Sequence, residues 1–341
     1  MSILDTIVWR VDASNPDPAV LAEAGQMIRR GRLVAFPTET VYGLGANALD
    51  VEAVEALFAA KGRPRDNPLI LHLAAAEDLF PYVREVPPLA TKLMGAFWPG
   101  PLTLVFFGTG RLPAVVTGGL GTIAARVPAH PVALGIIRAA GVPVVAPSAN
   151  LSGRPSPTTA AHVLADLRGR IDAVVDGGPT PLGIESTVLD LTGKVPRVLR
   201  RGAVSSSEIA DVAGVMPEEA PEAAEKDFRC RLRVPLILVE GEAQAVVEKI
   251  RSLYTAFAAE GKRVGILTRE ERAGDYPGQV VPCGREGDTR SVGACLYAAL
   301  RQLETVADVI LAEGLPAEAG AALQRRLRQA ASEVVRAERE P

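Results

Sequence analysis

Residues 33–73 read LVAFPTETVYGLGANALDVEAVEALFAAKGRPRDNPLILHL, and this stretch decides the fold. It opens on the apolar run 33–36, passes through the polar segment Thr38-Glu39-Thr40, and continues into DVEAVEALFAAK with apolar residues at helical spacing. Gly62 stands where that helix must stop, and the apolar run PLILHL follows. Strand, helix and strand in that order indicate an α/β architecture.

Outward from this stretch the pattern repeats. LTLVFF (102–107), TIAARV (122–127), VPVVAP (142–147), DAVVD (172–176) and STVLDL (186–191) are strand-length and rich in β-branched residues. PAVLAEAGQMIRRG, PVALGIIRAAG and TAAHVLADLRGR have helical periodicity and end beside glycine. The first half is therefore expected to be α/β with a mixed sheet. Residues 205–233 change character: seven acids precede Phe228, among Ala and Pro, which predicts a linker with one short helix at 205–213. From Leu236 strands and helices alternate strictly, predicting a small parallel α/β domain that closes on a long helix from about Ala317.

Composition narrows the function classes. Of 341 residues, 48% are hydrophobic and 23% charged, which are globular values and exclude a mainly disordered chain. No apolar stretch reaches the roughly 18 residues of a membrane span, and the N-terminus lacks signal-peptide features. Cys230, Cys283 and Cys295 match no zinc spacing and read as reduced thiols of a cytoplasmic protein. The net charge of −3 is uneven: residues 1–204 hold 19 Lys+Arg against 17 Asp+Glu, and the remainder 18 against 23. An anionic ligand is better sought in the first half. So small an excess, with few aromatics, argues against strong nucleic-acid binding.

The chemistry-bearing residues cluster at strand ends. Gly43-Leu44-Gly45-Ala46-Asn47-Ala48 lies too far past its strand for a dinucleotide turn, so its glycines are expected in an ordinary turn. Lys61, Arg63 and Arg65, held between Gly62, Pro64 and Pro68, suit a polyphosphate, although a solvated basic loop would look similar. Thr122 and Arg126 face one side of a strand, and a buried guanidinium there needs an anion: an internal carboxylate or a substrate's. His72, alone in an apolar strand, reads either as a core residue or as an orienting group. Ser148 and Asn150 alternate by two in a loop dense with hydroxyls. No histidines have metal spacing.

PTETVYGLG, KGRPRDNPL, WPGPLT, AARVPAHP, APSAN, GIEST and VLRRG occur in this order over residues 10–204. In these motifs the chain resembles the YrdC/Sua5 family of L-threonylcarbamoyladenylate synthases, and its second half resembles the C-terminal domain of the long Sua5 form. The resemblance implies a YrdC-like mixed twisted sheet with helices forming a concave active site at 1–207, a linker at 208–234, and a Rossmann-like parallel domain at 235–338. It implies a cytoplasmic nucleotidyltransferase that condenses L-threonine, bicarbonate or CO2, and ATP into threonylcarbamoyl-AMP and pyrophosphate. The product would pass to a threonylcarbamoyl transferase acting on position 37 of tRNA, so contact with RNA would be weak or indirect.

The family's catalytic tetrad falls on Lys61, Arg63, Ser148 and Asn150. By the same resemblance these four, with Asn67, Thr122, Ser156 and Arg200, line the ATP site, and Thr40, His72, Arg126 and Ser186 hold L-threonine. Mg2+ is expected with ATP and without a dedicated protein site. Long-form members carry a linker resembling PGMKYRHYAP that closes over the site, and residues 224–235 here lack its Pro-Gly, His and second Tyr. Hydrogenase-maturation carbamoyltransferases share the domain but add zinc-finger segments, which this sequence lacks.

Overall fold

The structure, a computed structural model, describes residues 5–221, 230–315 and 320–338. These fall into two compact units. The first holds residues 5–152, 156–181 and 185–221, and the second holds 153–155, 182–184, 230–315 and 320–338.

The first unit is built on eleven strands: β1 (Ile7–Arg10), β2 (Val34–Phe36), β3 (Gly43–Asn47), β4 (Ile70–His72), β5 (Leu102–Phe107), β6 (Thr122–Arg126), β7 (Val144–Val145), β8 (Ala173–Asp176), β9 (Thr187–Asp190), β10 (Arg197–Arg200) and β11 (Glu218–Glu219). Their order is β1-β8-β2-β3-β7-β4-β6-β5-β9-β10-β11, with parallel and antiparallel pairs. The mixed sheet is thus as the sequence leads one to expect. Leu33 and Ala35 pack into one apolar cluster, while Val34 and Phe36 pack into another. Alternation along one short strand therefore seals both faces of the sheet.

Helices α1 (Pro18–Arg29), α2 (Val51–Lys61) and α5 (Pro131–Ala140) cover it, and the same unit carries α3 (Pro88–Phe97), α4 (Ala114–Thr117) and α6 (Ala160–Leu167). Gly62 and Gly141 end α2 and α5 at φ of 61° and 60°, the left-handed conformation that glycine adopts without a Cβ clash.

Two expectations are corrected here. The glycines of Gly43–Asn47 lie in a buried strand, not a turn. The reason is packing: a Cβ on Gly45 would stand 2.6 Å from the Phe36 ring, so only glycine lets β3 lie against β2 and α1. Within the stretch expected as linker, the short helix expected at 205–213 forms as α7 (Ser206–Ala213) on a Ser205/Glu208 capping box, but the chain beyond it is not all linker, because β11 pairs with β10. Residues 224–229 of the expected lid lie outside the described residues.

The second unit carries β12 (Leu236–Gly241), α8 (Ala243–Ala259), β13 (Val264–Thr268), β14 (Gln279–Pro282), α9 (Thr289–Val306), β15 (Val309–Glu313), α10 (Ala321–Ala330) and β16 (Glu333–Ala337). All pairs are parallel, in the order β14-β13-β15-β12-β16. The last helix ends at Ala330, and the chain returns as β16 beside β12, where Val334 and Val335 favour a strand. Only a 3-10 turn (270–275) joins β13 to β14, so the alternation of strand and helix is not strict. Cys283 and Cys295 form a disulfide with Cα atoms 5.5 Å apart, correcting the expectation of reduced thiols. They stand twelve positions apart in the chain, and the turn from β14 into α9 brings them together. Among the described residues no helix is long and apolar enough to cross a membrane.

Candidate active site

Two polar networks in the first unit gather most of the residues singled out in the sequence. The first is centred on Arg126, the last residue of β6, which is 4% exposed. β4 runs parallel beside β6 with His72 opposite Arg126, so both side chains leave the same face. Arg126 Nε donates to His72 Nε2 at 3.0 Å. Its Nη1 donates to Glu39 Oε1 at 3.0 Å, and its Nη2 to Thr40 Oγ1 at 3.1 Å and Thr38 Oγ1 at 3.3 Å. All but one of its N–H groups are thereby engaged.

The ring of His72 is equally committed. Because Nε2 accepts from Arg126, Nδ1 carries the proton and donates to Ile70 O at 3.0 Å. Burial, reinforced by the charges of Arg126 and Arg200, holds the imidazole well below its ordinary pKa. His72 is neutral throughout the physiological range. Burial likewise pulls Arg126 down, and the Glu39 carboxylate opposes that shift. Removing either charge would leave the other buried and uncompensated.

Ser186 lies just before β9, where its Oγ meets Thr103 Oγ1 at 2.8 Å. Arg200, at the end of β10, donates through Nη2 to Ser186 Oγ at 3.0 Å and to Ser186 O at 2.8 Å. Ser156 Oγ donates to Glu185 Oε1 at 2.6 Å.

The second network starts from Lys61, the final residue of α2. The aliphatic stem is buried, and Nζ donates to the carbonyls of Ser148 and Asn150, the latter at 2.7 Å. Ser152 N–H returns a bond to Lys61 O at 2.8 Å. The lysine thus ties α2 to the loop after β7 and unites three members of the expected tetrad. Arg63, the fourth, donates to Pro68 O at 3.2 Å across the same basic turn, where Asn67 N–H also bonds Pro64 O. Thr122 sits at the opposite end of β6 from Arg126 and belongs to neither network.

Sequence reasoning marked Thr38 and Glu39 only as polar residues at a strand end and assigned no role to Thr103 or Glu185; all four are buried. A carboxylate three residues past a buried strand was the available signal for Glu39. Among the described residues no group of three or more His, Cys, Asp or Glu side chains could hold a metal ion.

Known proteins resemble this chain over both units. The Sua5/YciO/YrdC family model, described as Telomere recombination, matches residues 26–202. A second model, described as Threonylcarbamoyl-AMP synthase, C-terminal domain, matches residues 209–332. A threonylcarbamoyl-AMP synthase of Pyrococcus abyssi is 46% identical over 320 residues, covering 90% of this chain and 92% of its own. One of Bacillus subtilis is 44% identical over 340 residues, covering 95% and 97%. The crystal structure of P. abyssi Sua5 complexed with L-threonine superposes with a TM-score of 0.91 at 42% identity, over 98% of this chain and all of that one.

Proposed function

The chain belongs to the Sua5/YciO/YrdC family, and from that premise we propose that it is an L-threonylcarbamoyladenylate synthase. It condenses L-threonine, bicarbonate or CO2, and ATP into threonylcarbamoyl-AMP and pyrophosphate, in the cytoplasm, for transfer to tRNA by a separate threonylcarbamoyl transferase. The observation that carries the reading is the likeness, over both units, to a Sua5 complexed with L-threonine, joined to the Arg126 network in the first unit.

The chemistry asks for few groups. L-threonine reacts through its amine to give a carbamate, and the carbamate oxygen attacks the α-phosphate of ATP in line as pyrophosphate leaves. No covalent enzyme intermediate is required, so catalysis is positioning and charge neutralisation. We assign Arg126 to the α-carboxylate, with His72 and Thr40 fixing its plane and Ser186 completing the wall. Since both ring nitrogens of His72 are spent, it acts by orienting Arg126. We assign Lys61, Arg63, Ser148 and Asn150 to the triphosphate and reacting centre, and Asn67, Thr122, Ser156 and Arg200 to the remainder of ATP. Lys61 supports this both by charge and by fixing the Ser148–Asn150 backbone. Mg2+ would arrive on the triphosphate and neutralise its charge, with no protein cage needed.

Pyrophosphate release from ATP, Mg2+, bicarbonate and L-threonine, with each component omitted in turn, tests the reading. Release that requires both L-threonine and bicarbonate is expected. Release that proceeds equally with other amino acids, or without bicarbonate, overturns it.

A further inference from the structure

The residues expected to hold L-threonine offer donors for its carboxylate but almost nothing for its amino group. Both nitrogens of His72 are engaged within the protein. Thr38 spends its hydroxyl hydrogen on Val41 O at 2.7 Å, so in the 2.8 Å contact between the two hydroxyls Thr40 must donate to Thr38, and Thr40 already accepts from Arg126. Ser186 Oγ lies between Thr103 and Arg200. Arg126 can only donate.

Glu39 is the exception. Its Oε1 accepts from Arg126, but Oε2 is buried and has no hydrogen-bond partner among the described residues, on a residue 5% exposed. A buried carboxylate oxygen without a donor is costly, and a fold retains one where a donor arrives from elsewhere. We propose that Glu39 binds the α-amino group of the amino-acid substrate through Oε2, while the remaining N–H on Arg126 Nη1 meets the α-carboxylate. This rests on the L-threonine reading above.

The charges fit this role. Arg126 Nη1 and Glu39 Oε1 are 3.0 Å apart, a neutral pair of opposite charges side by side. An amino-acid zwitterion carries the same two charges on substituents of a single carbon, so it docks in the reversed sense and leaves the buried site neutral. An α-hydroxy acid would add net negative charge to the buried site and offer Oε2 only a neutral hydroxyl in place of a charged ammonium donor. Glu39 thereby selects α-amino acids over hydroxy acids. The carbamate nitrogen keeps one N–H, so the contact persists after carbamoylation.

Calorimetric titration of the full chain tests this, with L-threonine and with 2,3-dihydroxybutanoate, in which a hydroxyl replaces the α-amino group. The wild-type chain is expected to bind the hydroxy acid at least tenfold more weakly. Glu39→Gln should weaken L-threonine by about tenfold and the hydroxy acid by much less. Equal wild-type affinity for the two ligands overturns the assignment, and this arm stands even if the variant fails to fold. An equal loss for both ligands in Glu39→Gln also overturns it, because Glu39 would then act only by propping Arg126; so does the absence of any loss. A wild-type chain that releases pyrophosphate without L-threonine and binds none removes the functional reading itself, a result distinct from these.

Discussion

Lys61 is one of only six lysines in 341 residues, and its ammonium is spent on two backbone carbonyls of the Ser148–Asn150 loop. Lys61→Ala removes both a cation and a strut, so kcat/KM for ATP should fall by at least tenfold while L-threonine affinity, measured by calorimetry, stays within about twofold. His130 is a second residue with a legible task. It caps α5, its Nδ1 accepting from Val132 N–H at 3.2 Å, and burial lowers its pKa from 6.5 to about 4. The unfolded chain takes up a proton near pH 6.5 and the folded chain does not. Stability is therefore full above that pH and declines as pH falls toward 4, by about 2 kcal/mol at pH 5 and about 3 kcal/mol at pH 4. Denaturant midpoints at pH 5 and pH 7 should differ accordingly, and His130→Asn, which keeps an N-cap acceptor, should reduce the difference. At this scale Lys61, Arg126 and His72 were legible because a rare or buried polar side chain stands out against apolar neighbours. Glu39 was legible only as a carboxylate at a strand end, because its significance lies in an oxygen without a donor that no sequence displays.

Helices announced themselves more fully than strands. α2 and α5 stop at Gly62 and Gly141, where periodicity and the glycine agree. The strand β3 was hidden because GLGAN has neither alternation nor β-branching, and its cause is a neighbour: Phe36 fills the space that a side chain on residue 45 would need. In Gly45→Ala the new Cβ would also stand 3.0 Å from Ile28 Cδ1, between β2 and α1. Such overpacking should cost about 1–3 kcal/mol in urea unfolding, with the loop 37–42 between β2 and β3 displaced and L-threonine binding weakened along with stability. β16 was missed for a related reason. A short segment after a helix becomes a strand only because β12 presents a free edge to it.

Across the molecule, the cysteines give the sharpest contrast between chain and fold. Residues 283 and 295 are unremarkable in spacing, yet the turn from β14 into α9 places their Cα atoms 5.5 Å apart, within disulfide range. Closing a loop of this length should stabilise the second unit by about 3 kcal/mol, so reductant or Cys283→Ser should lower its unfolding temperature. Alkylation under denaturing, non-reducing conditions, read by intact mass, should label Cys230 and spare the other two. Local patterns in the sequence determined the mixed sheet, the parallel second unit, the cluster of cations at 61–65 and the family, because alternation, helical period and motif order are properties of neighbours along the chain. The tertiary structure alone decided that Gly43–Asn47 is a strand, that 206–219 belongs to the first unit, that Cys283 meets Cys295, and that Arg126 is already held by Glu39, His72, Thr38 and Thr40. Each of these depends on which distant groups share space, and for a buried charge or a missing Cβ that sharing fixes the energy.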